Sequence, residues 1–570
     1  MTDPGCRCLL VSDFNVRNLA HRLENDDERP LIDAVPGPYG QVVPVLIDGG
    51  LDCWRGSPDC LVAWTRPESV IRAFNDLLAF RPVAIEDLLQ QVDAYAAALL
   101  SAADKVSCLL VPSWVVSPAH RGHGVLDMRP GIGLTYAVER MNLRLCEVLA
   151  PARNVFVLDA RRWLQAGGRG AFNEKLWFTA KLPFASEVFA EAAGEIKAAL
   201  RAVRGETRKL LIVDLDDTLW GGVVGEAGWE TLRLGGHDHV GEAYADFQVA
   251  LKALLNRGVV LGIVSRNDER TALEAIARHP EMRLRRDDFA GWRINWGDKA
   301  KNVLELAGEL RLGLSSVVFI DDNPVERARV REALPEVLVP DWPADPLLYA
   351  STLRSLACFD TAAVTAEDSR RAAMYAAERG REEQRQQLGG DLAGWLGSLH
   401  IAVKGEDLHD GNLARAVQLL NKTNQMNLAT RRMTEAQLRA WAAADGHRVW
   451  AFRVTDRFGD SGLVGLASLA IGGARATVVD FVLSCRVMGR CVEDTMLSWL
   501  VQHARSAGAT ELEATCAPTP RNGPCQEFWQ RSGFASDGLR FTWRTSEDYP
   551  TPAPVLFTPP GPAAALEAAS

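Results

Sequence analysis

The chain has 570 residues, of which 47% are apolar and 24% charged, with a formal net charge of −10. Those proportions are ordinary for soluble globular domains, and the length allows about two to four of them. The mildly acidic balance excludes a nucleic-acid binder held by a basic face, because neutralising phosphates takes clustered Lys and Arg, and no apolar run of about 18 residues offers a membrane span.

The first residues, Met1 to Gly5, lack a basic region followed by an apolar stretch, so no secretory signal is expected. The eleven cysteines are scattered. In a large chain without an export signal they read as reduced thiols, mostly small buried residues. Cys6-Arg7-Cys8 is too tight for a zinc pair and no second pair matches it. A cytoplasmic protein without structural zinc is the expectation.

Residues 1–205 open on the apolar run Cys8–Val11, which ends at Ser12-Asp13-Phe14-Asn15. Further strand-like runs are Val42–Ile47, Ser107–Val111 and Asn154–Leu158. Helical patterns cover Ile85–Leu100, Tyr136–Leu149 and residues 186–204. Strands alternating with helices predict a parallel α/β layer.

Residues 206–385 carry three strongly apolar strands, Leu210–Val213, Val259–Val264 and Val317–Ile320. Helical patterns over Ala243–Asn256 and Arg270–Ala277 separate them, again predicting an open α/β layer. Residues 361–395, rich in Ala, Glu, Arg and Gln, fit a long exposed helix. Residues 386–548 hold strand-like runs at Val449–Val454, Val464–Ala470, Thr477–Leu483 and Glu511–Thr515, with a helix over Val492–Ala507. That pattern predicts an α+β domain. Residues 549–570, with prolines and then alanines, read as a disordered tail.

Phosphate chemistry is written at the strand ends of the middle segment. The first strand runs into Asp214, Asp216 and Thr218, the second into Ser265-Arg266-Asn267-Asp268, and the third into Asp321-Asp322-Asn323. Lys299 lies between the last two. Open α/β sheets bind ligands just beyond such strand ends. A carboxylate can attack phosphorus and form an acyl phosphate, a second acid can protonate the leaving oxygen and later activate water, and Mg²⁺ suits the oxygen ligands. A hydroxyl and a lysine can stabilise the transferring group. Apolar strands often end in Asp or Ser merely because these residues start turns, but that explanation does not cover three strand ends and a lysine in this order.

These motifs resemble the haloacid dehalogenase (HAD) superfamily. The resemblance implies a Rossmann-like core with Asp214 as nucleophile and Asp216 as general acid/base. It implies phosphate contacts from Thr218, Ser265 and Lys299, and a Mg²⁺ site made by Asp214, the Asp216 carbonyl, Asp321 and Asp322. The short span between Thr218 and Ser265 suggests a capless site, open to a bulky or protein-borne substrate. More narrowly, the stretches Asp216–Glu226, Ala245–Gln248, Ile263–Asp268, Phe319–Pro324, Leu420–Asn427 and Asp456–Asp460, with Asn295, Trp296 and Asn302, resemble the FkbH-like glyceryl transferase/phosphatases of polyketide pathways. Asp217 stands where Asn is usual, and Arg266 where Lys is usual. The resemblance implies that the glyceryl group of 1,3-bisphosphoglycerate passes to an acyl carrier protein thiol and that phosphate is removed. Cys358, Cys485 and Cys491 are candidates for an enzyme thioester, although the carrier thiol can attack without one. The alternatives are a phosphatase acting on a soluble phosphoester and a non-catalytic carrier-protein scaffold.

The last segment resembles the GNAT acyltransferase fold. Arg486-Val487-Met488-Gly489-Arg490-Cys491 is similar to its pyrophosphate loop, which implies that Arg486, Gly489 and Arg490 receive a phosphopantetheine arm. Cys491 replaces the usual small residue there. The first segment resembles an SGNH-hydrolase-like α/β domain with Ser12 at the nucleophile position. No histidine follows Asp159 in the expected place, so Ser12 reads as a turn residue. His120 and His123, on a Pro/Gly-rich loop, read as surface residues.

Overall fold

In the computed structural model, residues 5–561 are described, except 27, 311, 363–373, 375–376, 382–383, 386–390, 424, 430 and 520–521 and the side chains of Ala227, Lys422 and Cys485. The strands are β1 (Cys6–Ser12), β2 (Ile32–Pro36), β3 (Cys60–Trp64), β4 (Cys108–Pro112), β5 (Val155–Leu158), β6 (Leu210–Val213), β7 (Val260–Ser265), β8 (Phe289–Ile294) and β9 (Val317–Ile320). They continue as β10 (Ile401–Asp407), β11 (His447–Asp456), β12 (Gly459–Gly472), β13 (Arg475–Leu483), β14 (Glu511–Thr515), β15 (Ala535–Asp537), β16 (Arg540–Arg544) and β17 (Val555–Thr558). The chain divides into two compact units, 1–259 with 297–368, and 260–296 with 369–570.

The first unit contains a five-stranded sheet in the order β2-β1-β3-β4-β5, parallel at every pairing. Strand β3, Cys60-Leu61-Val62-Ala63-Trp64, is buried along its whole length, as a central parallel strand covered on both faces must be. Alternate residues supply two cores. Leu9, Val11, Leu61, Ala63, Leu109 and Val111 meet the helices Val42–Ile47, Ile85–Ala103 and Leu134–Leu149. Cys6, Cys8, Leu10, Cys60, Val62, Trp64 and Cys108 face the helices Arg17–Glu24, Ala160–Gly167 and Ser186–Arg204. The expected parallel layer is therefore present, as is the helix over 186–204.

One expectation here needs correction. Val42–Ile47 is a helix, not a strand; a six-residue apolar run has no periodicity to separate the two, and its Val42, Val45 and Leu46 share the buried face. Strands β2 and β3 went unread. The same unit holds β6 and β9, paired in parallel from Leu210↔Val317 to Val213↔Ile320.

In the second unit β7 and β8 pair in parallel. An eight-stranded sheet follows, in the order β15-β16-β14-β13-β12-β11-β10-β17. Strands β10 to β13 are antiparallel, while β13 and β14 run parallel. The helices Val492–Ser506 and Gly523–Arg531 cover one face through Met496, Leu500, Phe528 and Trp529. The helices Asp410–Lys422 and Glu435–Ala443 cover the other. The start of the expected disordered tail is corrected: Val555–Thr558 pairs with Ile401–Lys404 as a parallel strand, anchored by buried Val555 and Tyr549. Residues 562–570, and most of the helix expected over 361–395, lie outside the described residues, although Ala377–Arg381 is helical. No described helix is long and apolar enough to cross a membrane.

Candidate active site

Strand β6 is wholly buried and delivers Asp214 at its carboxyl end, where the Asp214 N–H donates to the Ile320 carbonyl (3.0 Å). Its neighbour β9 delivers Asp321 and Asp322. The helix Lys299–Glu309 starts with Lys299 itself, capped by the Asp298 carboxylate accepting from Lys301 N–H. The Arg329 guanidinium holds the other Asp298 oxygen at 2.9 Å. Lys299 is thus fixed at a helix start and only 4% exposed.

The Lys299 ammonium lies 2.6 Å from Asp321 Oδ2 and 3.1 Å from Asp214 Oδ1. Burial alone pulls its proton affinity down, but the attraction of Asp214 and Asp321 outweighs that and leaves it above its ordinary value. Asp321 is completely buried, and its Oδ1 accepts from Asn323 N–H at 2.9 Å. Asp322 exchanges two hydrogen bonds with Thr218: its N–H donates to Oγ1 (3.0 Å) and its Oδ1 accepts from that hydroxyl (3.1 Å). Burial, then the charge of Asp321, raises the Asp322 carboxyl above the usual range.

Oxygens of Asp214, Asp321 and Asp322 all lie within 4.8 Å of one another. Three carboxylates against one ammonium leave an excess of negative charge, and hard oxygen donors are what Mg²⁺ prefers, so this donor set fits the ion. Among the described residues it is the sole such cluster of His, Cys, Asp or Glu. Asp216 is outside it. Its Oδ1 instead accepts from Trp220 Nε1 (2.9 Å) and Val224 N–H (3.1 Å), which aims the carboxylate across the turn.

That turn requires unusual backbone. Asp217 adopts φ 52°, a left-handed conformation in which Asp is tolerated better than most residues. Its carboxylate accepts from Gly222 N–H at 2.8 Å. Its carbonyl accepts from the Tyr244 hydroxyl (3.1 Å) and the Tyr349 hydroxyl (3.3 Å). A Cβ on Gly221 would come within 2.9 Å of the Tyr244 ring, so glycine is required for this approach. Gln248, fully buried, donates from Nε2 to the Leu219 carbonyl at 2.9 Å.

Of the sequence candidates, Asp214, Thr218, Lys299, Asp321 and Asp322 converge. Ser265 ends β7 in the second unit and is 2% exposed. Arg327, Tyr244 and Tyr349 were not read from sequence. Arg327 holds the carbonyls of Asp321 (2.7 Å) and Asp322 (2.6 Å) through Nη1. One helical turn after Asn323-Pro324, it could have been suspected from its spacing.

The acyl-transfer candidates fare differently. Cys358 is half-buried and burial pushes its thiol up to about 12; burial also raises Cys491, which caps a helix at φ 61°. A nucleophilic cysteine needs its thiolate, so both environments work against the thioester role. The Cys485 side chain lies outside the described residues.

The loop expected to receive a pantetheine arm carries Arg486, Gly489 and Arg490. Gly489 N–H donates to the Glu493 carboxylate at 2.9 Å. Arg490 is buried against Asp456 and Glu378, and Arg486 lies 3.3 Å from Met374 Sδ. Strand β13 pairs with β14 only from Arg475 to Val478. Beyond that, Leu483 N–H donates to Met426 O (3.0 Å) and Leu428 N–H to Phe481 O (3.1 Å). The segment Gln425–Leu428 therefore bonds to β13 beyond the stretch that β14 covers.

No family model and no curated protein matches the chain. Among solved structures, it is similar to the N-terminal part of a Bacteroides fragilis protein, containing a phosphatase domain and complexed with Mg. The two are 27% identical, with a TM-score of 0.57 over 63% of this chain and 95% of that one. This likeness and the site geometry support an enzyme of the phosphatase type. The chain also matches a Vibrio cholerae spermidine N-acetyltransferase in complex with CoA and spermine, at 15% identity and TM-score 0.21 over 25% of this chain and 96% of that one. A GNAT-family acetyltransferase from Desulfovibrio desulfuricans matches at 13% identity and TM-score 0.21 over 25% of this chain and 99% of that one.

Proposed function

We propose that the protein is a Mg²⁺-dependent HAD-type phosphatase and glyceryl transferase. It loads the glyceryl group of 1,3-bisphosphoglycerate onto an acyl carrier protein and removes phosphate. The observation that carries the phosphatase half is Lys299, held between Asp214 and Asp321, with Asp322 beside them.

In this reading a lone pair of Asp214 attacks phosphorus and the bond to the leaving oxygen breaks, giving an aspartyl phosphate. Asp216, held through Oδ1 by Trp220 and Val224, gives its proton to that oxygen. It then takes a proton from the water that releases inorganic phosphate. Lys299 binds the phosphoryl oxygens. Asp214, Asp321 and Asp322, with the Asp216 carbonyl, would hold Mg²⁺, which when bound offsets the repulsion between carboxylate and phosphate. Asp322 is fixed for this by its two bonds to Thr218.

The glyceryl half rests on the FkbH-like motifs. Its substrate is an acyl phosphate, already activated, so the carrier's own thiolate can attack the acyl carbon and expel phosphate. That needs orientation and no enzyme cysteine. The division into an SGNH-like domain (1–205), a HAD-like domain (206–385) and a GNAT-like domain (386–548) belongs to the same proposal. The alternatives are a phosphatase on a soluble phosphoester and a carrier-protein scaffold.

The test is mass spectrometry of a holo-carrier protein incubated with the enzyme, Mg²⁺ and 1,3-bisphosphoglycerate. A glyceryl adduct on the pantetheine thiol, absent from Asp214→Asn in its dephosphorylated form, supports the proposal. Phosphate release without an adduct favours the simple phosphatase, and no change favours the scaffold.

A further inference from the structure

The five-stranded sheet has its own ligand edge. In the order β2-β1-β3-β4-β5 the winding reverses between β1 and β3. Open α/β sheets form a crevice at the carboxyl ends of the strands flanking such a reversal. Here β1 ends in Ser12 and runs into Asp13, while β3 ends in Trp64 and runs into Thr65 and Arg66.

These residues are built into a rigid arrangement. Asp13, 6% exposed, accepts from Arg66 N–H and from Arg66 Nε, both at 2.8 Å. The Arg66 guanidinium carbon lies 3.8 Å above the centre of the Trp177 ring. The Lys181 ammonium lies 5.0 Å from the same ring centre. Lys181 is placed by its own left-handed backbone, φ 58°. Its carbonyl accepts from Asn15 N–H (2.9 Å), and Asn15 Nδ2 donates to Ala180 O (3.2 Å), which joins this turn to the end of β1.

Two cations on one indole repel each other. Asp13 answers one of them, through the Nε side of Arg66. Among the described residues no carboxylate pairs with Lys181, and no acceptor meets the Nη groups of Arg66. Glu68 is nearby, and burial first of all raises its carboxyl. Its Oε2 is buried without a hydrogen-bond partner. The arrangement thus combines two neighbouring cations, a planar donor fork and an aromatic wall. Ser12 and Ser113 do not suggest hydrolysis, since their hydroxyls accept from the Phe14 and Ala160 N–H groups.

The geometry points to a second ligand site in this protein, separate from the Asp214 site, in which Arg66 and Lys181 bind the oxyanion of a small carboxylate- or phosphate-bearing molecule against Trp177. Arg66 supplies the two-point fork that such groups accept. Asp13 and Trp177 hold that fork in place before the ligand arrives.

The test uses the full chain labelled with 5-fluorotryptophan, with the Trp177 ¹⁹F signal assigned through Trp177→Phe. Inorganic phosphate and succinate are titrated separately at constant ionic strength, because exposed charges respond to salt alone. A saturable shift of the Trp177 signal with either anion is expected, and the stronger of the two identifies the ligand class. Arg66→Gln should weaken it at least ~10-fold, as loss of a bidentate charged contact does. Lys181→Ala, at an exposed position and independent of the Asp13 clamp, should weaken it about threefold. Lys299→Met should leave the Trp177 titration unchanged, which separates this site from the phosphatase reading. No saturable shift with either anion, or a shift that neither Arg66→Gln nor Lys181→Ala weakens, overturns the proposal.

Discussion

Thr218 and Asp322 exchange two hydrogen bonds across adjacent strand ends, hydroxyl to carboxylate at 3.1 Å and backbone N–H to hydroxyl at 3.0 Å. The hydroxyl is donor and acceptor at once, which no apolar isostere reproduces. Thr218→Val is expected to destabilise the protein by about 1–2 kcal/mol, because a buried acceptor and donor lose their partner. It should also weaken Mg²⁺ binding, while Thr218→Ser should restore both. Urea unfolding and a Mg²⁺ titration check this; a Val variant with unchanged metal affinity would remove Thr218 from the site.

Asp214→Asn keeps the shape of the nucleophile and removes its charge. Phosphate release should fall at least about a thousandfold, as for loss of other covalent nucleophiles. Lys299 keeps Asp321 as partner, so the melting temperature should change little. Chelating Mg²⁺ from the native protein should produce a comparable loss of activity that returns on adding the ion.

The Lys299 ammonium bridges the buried carboxylates of Asp214 and Asp321. Its removal in Lys299→Met should cost about 3–5 kcal/mol in the presence of a chelator, the usual consequence of stranding buried charge. Mg²⁺ should then raise the melting temperature of the variant more than that of the native protein, since losing the competing ammonium tightens its binding and a ligand of the folded state stabilises by RT ln(1 + [L]/Kd). Equal Mg²⁺ shifts in both proteins would contradict the shared site.

Cys358 should resist alkylation. With its thiol pushed up to about 12 by burial, almost none is thiolate at pH 8, whereas Cys146 is exposed. Peptide mapping after brief iodoacetamide treatment should find Cys146 modified and Cys358 intact. Cys358→Ser should still load the carrier protein; loss of loading with retained phosphatase activity would restore the enzyme thioester.

Asp238 caps the helix His239–Asn256, which carries Tyr244 and Gln248. Its bond to Arg233, with the N–H groups of Gly241 and Val240, lowers its carboxyl from 3.8 to about 2. A depressed carboxyl stabilises the fold fully above its unfolded value, and that contribution is lost as the pH falls through the folded value. The melting temperature of Asp238→Ala should therefore lie below that of the native protein by a constant margin at neutral pH. The margin should shrink as the pH drops from about 4 to 2.

The strands that position the site were legible because they are strongly apolar and end in polar residues. Leu210–Val213 and Val317–Ile320 agree with the sequence reading residue for residue. Phe289–Ile294 was missed, since Gly291 and Arg293 interrupt its apolar pattern. Val42–Ile47 was misread because a short apolar run fits either element. In the site, motif spacing was enough to select Lys299 and Asp321. It could not supply Tyr349, which reaches the Asp217 carbonyl from 132 residues away, because nothing local in the sequence marks a contact made by folding. The bond from Gly489 N–H to Glu493 was hidden for a related reason: Glu493 reads from sequence as an ordinary first-turn acid of a helix.

The segment Gln425–Leu428, seated on β13, is a tethered competitor. An occupant attached to the same chain acts at an effective concentration of order millimolar or higher. A free strand offered at micromolar levels would have to outcompete it by orders of magnitude before pairing beside Phe481 and Leu483. That stretch of β13 is thereby satisfied from within its own chain, which guards it against pairing with another copy.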